Sequence, residues 1–192
     1  MDDNRGMGVG AALVALSAAV STAREVGPWQ ASDDQVADLI VAVEVATRAL
    51  AGVQLAAIAE GVTRGLPFST GAGTGASAPG RWVRSLVSVN PGEAGRRATL
   101  AAALFTGPEA TELTPTRDAV LAGSISTAHA QVVVAAMEHL LPPHTPAGVI
   151  DDATRAEAQA LLLPAATGGT DPAAAGPTHQ GVDPTQLAKA GL

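Results

Sequence analysis

Between Asp33 and Arg64 the apolar residues Val36, Leu39, Val43, Leu50, Val53 and Ala57 recur at spacings of 3, 4, 7, 3 and 4. That is the period of one face of an α-helix, without the strict alternation of a half-buried strand. Ser32, followed three residues later by Gln35, forms a capping box at its start. Glu44 with Arg48 and Glu60 with Arg64 are i, i+4 pairs oriented to support it. At ~1.5 Å per residue this helix is about 48 Å long, an organising spine for the domain. Composition agrees. Hydrophobic residues are 47% of the 192, yet aromatics are 2% and cysteine is absent. The core must come mainly from Ala, Val and Leu, and such small side chains favour close-packed helices over a sheet sandwich. The expected fold class is all-α: a long spine helix with a bundle of shorter helices. The stripe also suits oligomerisation through the long helix.

Turn and cap residues set out the rest. Residues 9–26 read as a first helix stopped by Gly27-Pro28, so 1–31 is an N-terminal helix and linker. Gly65 to Gly80 is rich in Gly, Ser, Thr, Ala and Pro and reads as a flexible loop. A short helix from about Pro79 to Val87 follows. Asn90-Pro91-Gly92-Glu93 then supplies an N-cap, a proline at the first helical position and an acidic third position, opening a helix to about Phe105. Thr114-Pro115 opens a helix closed by Gly123, Ser126 caps one reaching Leu141, and Thr145-Pro146 opens one ending near Leu163. The domain thus spans 32–163. Residues 164–182 read as a low-complexity linker and 183–192 as the truncated start of a further helix.

Several function classes are excluded at this level. Without cysteine there is neither a disulfide framework nor a thiolate metal site, and a cytoplasmic location is the default. The apolar run Val9–Val20 is about 12 residues, short of the ~20 that a membrane span needs. Asp2, Asp3 and Arg5 before it do not make the positive start of a secretory signal, so no membrane partner is expected. Net charge is −7, which by itself disfavours a polyanionic partner. The charge is uneven, however. Residues 61–108 hold five arginines (64, 81, 84, 96 and 97) against Glu93 alone, a local +4 that leaves −11 elsewhere.

Three stretches carry a resemblance: Asn90-Pro-Gly-Glu-Ala-Gly-Arg-Arg97; Leu100-Ala-Ala-Ala-Leu104; and Asp118 to Val132 with its Ala-Gly-Ser-Ile-Ser-Thr-Ala-His-Ala core. Together with Trp82 and Asp183 to Ala188, in this order, they resemble the 13E12-repeat family, over roughly residues 32–192. The family's helical domain, of unknown function, usually precedes an HNH endonuclease domain. The resemblance implies a non-catalytic accessory module, with the nuclease as a further, separately encoded partner. The 164–181 linker looks lengthened and the sequence ends where the family continues, so a gene fragment without independent activity is one alternative. A protein-interaction or structural helical domain is another.

Trp82 to His129 also resembles the helix-turn-helix region of chromosome-partitioning proteins. That resemblance makes 79–87 the first helix, 88–90 the turn and 91–105 the recognition helix. It implies duplex DNA as partner, with Arg81, Arg84, Asn90, Arg96 and Arg97 as the contacts. No catalytic site, metal or cofactor is expected. His129 stands at the third position of its helix behind the Ser126 cap, a packing or capping place, and His139, His144 and His179 fall at no ligand spacing. Gly71, Gly73 and Ala76 satisfy G-x-G-x-x-A, but a helix precedes them, whereas a dinucleotide site needs a strand. No strand hairpin is visible to hold HNH chemistry. Trp82 and Phe105 read as core aromatics.

Overall fold

The computed structural model describes residues 3–107, 110–138, 140 and 151–167; among these the chain is helical, with irregular connections and no strand. The all-α expectation holds. The chain divides into two compact units, 1–43 and 44–192.

In the first unit, α1 (Asp3–Glu25) ends before Gly27, and Pro28–Gln30 makes one 3-10 turn. Every residue of α1 from Gly8 onward is exposed. Both halves of the capping box form: the Gln35 N–H donates to Ser32 Oγ at 3.3 Å, and the Ser32 N–H donates to Gln35 Oε1 at 3.0 Å. They open α2 (Asp33–Thr63), whose N-terminal part, up to Val43, belongs to this unit.

In the second unit α2 continues, held by the Glu44–Arg48 and Glu60–Arg64 pairs that the spacing predicts. The apolar stripe is not the face that the bundle covers. Leu50 and Val53 are 42% and 57% exposed, whereas Gly52, Leu55, Ile58, Ala59 and Gly61 are buried. Close approach decides this. A Cβ on Gly52 would lie 2.8 Å from the Val120 carbonyl oxygen of α6 (Thr114–Leu121), and one on Gly61 would meet the indole of Trp82 on α4 (Ala78–Leu86). The bundle seats itself where α2 has least side chain, since interiors pack to crystal-like density.

α3 (Leu66–Ser69) and the start of α4 occupy the stretch expected as a loop over 65–80. Between them Arg81 replaces the partner that the Gly-rich run lacks: its Nε donates to the Ala72 carbonyl at 2.6 Å, one Nη to the Thr74 carbonyl at 3.2 Å, and the other to Ser77 Oγ. α5 (Pro91–Ala101) runs on into a π-helical turn, Ala102–Thr106. α7 (Thr127–Glu138) starts at the Ser126 cap as expected.

α8 (Asp152–Thr167) passes the expected end at Leu163 and contains Pro164. The proline forgoes one backbone bond near the helix end. In return Ala166 is buried to 3% exposure, and Leu162, Leu163 and Ala165 pack on the core. The expected helix start at Thr145-Pro146, the 168–182 part of the linker, the helix after Asp183, and His139, His144 and His179 lie outside the described residues.

One core holds the second unit: Leu55, Trp82, Val83, Leu100, Leu104, Val120, Ile125, Val133 and Met137, with partly buried Phe105 against it. Gln159 of α8 is 2% exposed. Its Oε1 accepts from the Thr116 N–H at 3.1 Å and the Thr116 hydroxyl at 2.8 Å, and its Nε2 donates to the Glu112 carbonyl at 2.9 Å. Gln159→Leu keeps the volume but strands these groups, so it is expected to lower stability by about 2 kcal/mol in urea unfolding. An unchanged midpoint would show the clamp to be idle. Among the described residues no helix is long and apolar enough to cross a membrane.

Candidate nucleic-acid interface

α4 ends when Val87 turns extended, and three residues later Asn90 (φ −67°, ψ 156°) caps α5 by accepting the Glu93 N–H on its side-chain oxygen at 2.8 Å. Pro91 then starts the helix with φ already set. The helices meet backbone to backbone: a Cβ on Gly80 would stand 3.2 Å from Gly95 Cα. Trp82, Val83 and Ala94 are buried beneath them. Two helices in tight contact across a short turn form a helix-turn-helix-like unit. The cleft between them, of about 440 Å³, is lined by Ser77, Gly80, Arg81, Arg84, Pro91 and Gly95, among others.

The five expected contact residues are all brought to this unit, but their side chains are engaged differently. Asn90 is spent on the cap, and Arg81 clamps the preceding loop. Arg97 is 28% exposed; its Nε bonds Glu93 at 2.7 Å and an Nη donates to Gln54 Oε1 at 2.9 Å, tying α5 to α2. Arg96 also bonds Glu93, at 2.8 Å, yet its side chain is 56% exposed. Arg84, in the last turn of α4, is exposed, and no hydrogen bond or ion pair among the described residues holds it. The surface of α5 beside these arginines is low, formed by Pro91, Gly92 and Thr99 with half-buried Gly95.

Glu93 is the one acid here, and its bridging role was missed from the sequence, although its 3- and 4-residue spacing to Arg96 and Arg97 carried the signal. The hydrogen bond from Arg97, then that from Arg96, holds its carboxyl below the usual carboxylate range. A depressed carboxylate pKa stabilises the fold above the unfolded value, and that contribution is lost as pH falls through the folded one.

No family model, curated protein or solved structure matches this chain. Its site must be judged on its own geometry. His129 takes the capping place that the sequence assigns it: its N–H donates to Ser126 Oγ at 3.2 Å, and its Nδ1 lies 2.7 Å from the same oxygen. Gly71 and Gly73, at φ 77° and 93°, shape the turns between α3 and α4, with no strand before them. Among the described residues no three His, Asp or Glu side chains converge as metal ligands.

Proposed function

We propose that this protein is a non-catalytic helical module that lies on duplex DNA through α4 and α5, an accessory of the kind the 13E12-repeat resemblance implies for an HNH nuclease. The observation carrying this reading is the exposure of Arg84 and Arg96 on a unit, α4 and α5, that holds four arginines and a single acid, in a chain that is otherwise acidic. The exposed positions at the start of α5 beside Arg96 are small, Pro91 and Gly92, so this end of the helix can approach a groove closely. Arg84 and Arg96 then neutralise phosphates, while Arg81, Asn90 and Arg97 keep the unit in shape. Contacts of this type position a protein on DNA without specifying a sequence. The same reading implies a cytoplasmic location.

Two substitutions of opposite sign test it. Each phosphate contact contributes a slope of about −0.9 to log K against log salt. Arg84→Ala/Arg96→Ala is therefore expected to weaken binding to a random-sequence duplex and to flatten that slope by about 2. Glu93→Gln removes the only acid from the face and is expected to tighten binding at low salt. Fluorescence anisotropy across a salt series reads both, and an unchanged slope in the double variant would remove DNA from the reading.

A further inference from the structure

The cleft between α4 and α5 stands open beside a glycine that the fold does not require. Gly95 lies inside α5, its φ is not positive, and a Cβ there would meet no atom of another element within 4 Å. Gly80 across from it is different: its Cβ would stand 3.2 Å from Gly95 Cα, so close packing accounts for it. A glycine inside a helix destabilises that helix relative to alanine. What the missing side chain at 95 preserves is the space beside it, about 440 Å³, within the size range of small-ligand sites. The walls are Pro79, Gly80, Pro91, Gly95, Ala98 and Ala102, all small and apolar. Of the polar side chains on the cleft, Arg81 and Ser77 bond each other, whereas the Thr99 hydroxyl and the Arg84 guanidinium have no partner among the described residues.

We infer that this cleft receives a single base swung out of the DNA stack, with Arg84 on the phosphate of that nucleotide; the inference rests on the DNA reading of α4 and α5 given above. A stacked, fully paired duplex offers a protein surface its phosphates and groove edges, and neither fills an apolar recess. An unstacked base does. It is a flat ring tethered to a phosphate, and it matches small apolar walls with an unpaired cation at their rim. The Thr99 hydroxyl can donate to or accept from the polar edge of the base. No aromatic side chain lines the cleft, so the base is held by burial between α4 and α5 and by the charge on its own phosphate. Taking a base out of the stack costs pairing and stacking energy, least where the base is already unpaired. The module therefore prefers DNA with an unpaired base to a fully paired duplex.

Anisotropy titrations of the full chain with a duplex carrying one unpaired thymidine, beside the fully paired duplex of the same sequence, test this. The expected result is an affinity at least about tenfold higher for the bulged duplex. Gly95→Leu and Ala102→Leu, which grow into the cleft from two places along α5 and its π-helical turn, should each bring that ratio to about one while helical circular dichroism is kept. Permanganate oxidises unpaired thymine, so the bulged thymine should be protected in the complex and reactive again with Gly95→Leu. Equal affinity for the two duplexes, a preference that survives both cleft variants, or a thymine as reactive as in free DNA would each overturn the base site and leave the duplex reading standing. Binding to neither duplex would overturn both.

Discussion

Gly123→Ala lowers stability by about 3 kcal/mol, the sum of two separate costs. Gly123 closes α6 with φ +73°, its N–H bonded to the Val120 carbonyl at 3.0 Å. A left-handed conformation costs a residue with a Cβ about 1–2 kcal/mol. The added carbon would also fall on the Val45 carbonyl oxygen and stand 3.1 Å from the Ala49 nitrogen, both backbone atoms of α2. Backbone cannot swing aside, so overpacking adds about 1–3 kcal/mol. Gly65 separates the two costs, because it has the same φ of 73° with nothing within 4 Å. Gly65→Ala is expected to cost only about 1 kcal/mol. In a chain of this size the larger loss moves the melting midpoint by about 10 °C. Equal shifts in the two variants would mean that α2 and the turn after α6 are not in the contact described.

Trp82→Ala is expected to be the most damaging single truncation, at about 3–5 kcal/mol. Trp82 is 7% exposed and its ring fills the space left by Gly61. The side chains around it, such as Ile58, Val83 and Val87, are aliphatic and smaller than the indole, so they fill only part of the hole. The pair should also be non-additive. Gly61→Ala drives a methyl into the indole and destabilises the native protein, while in a Trp82→Phe background the smaller ring makes room and the same substitution costs less. A double-mutant cycle by urea unfolding measures the difference, and strict additivity would count against the contact. Fluorescence gives an independent check: Trp29 is 82% exposed, so the Trp82 variants should retain only water-exposed emission.

The all-helical fold was legible because its signals are local. The capping box at Ser32 and Gln35, the cap at Asn90 with Pro91, the cap at Ser126 and the stop at Gly123 are each contained within a few residues, and each appears where the sequence puts it. What was not legible depends on which helix meets which. A stripe of Val and Leu marks a face as apolar, but on α2 the bundle sits over Gly52 and Gly61, and hydropathy gives glycine no weight in such a choice. The order of 70–77 was hidden because it rests on one guanidinium reaching back to Ala72 and Thr74 from the next helix. The passage of α8 through Pro164 was hidden because burial of Ala166 outweighs a local breaker. At the candidate interface the arginines were legible as a charge cluster. Their division into exposed and engaged side chains was not, since it turns on Gln54 and Glu93 as acceptors.

Amide chemical-shift mapping of the isotope-labelled chain on titration with a random-sequence duplex tests most directly the proposal that the α4–α5 unit is the surface that meets DNA. Salt-sensitive shifts are expected between Ser77 and Ala101, strongest around Arg84, Gly92 and Arg96, with the exposed apolar stripe of α2 unmoved. Shifts confined to α1 or α2, or none at low salt, would contradict it.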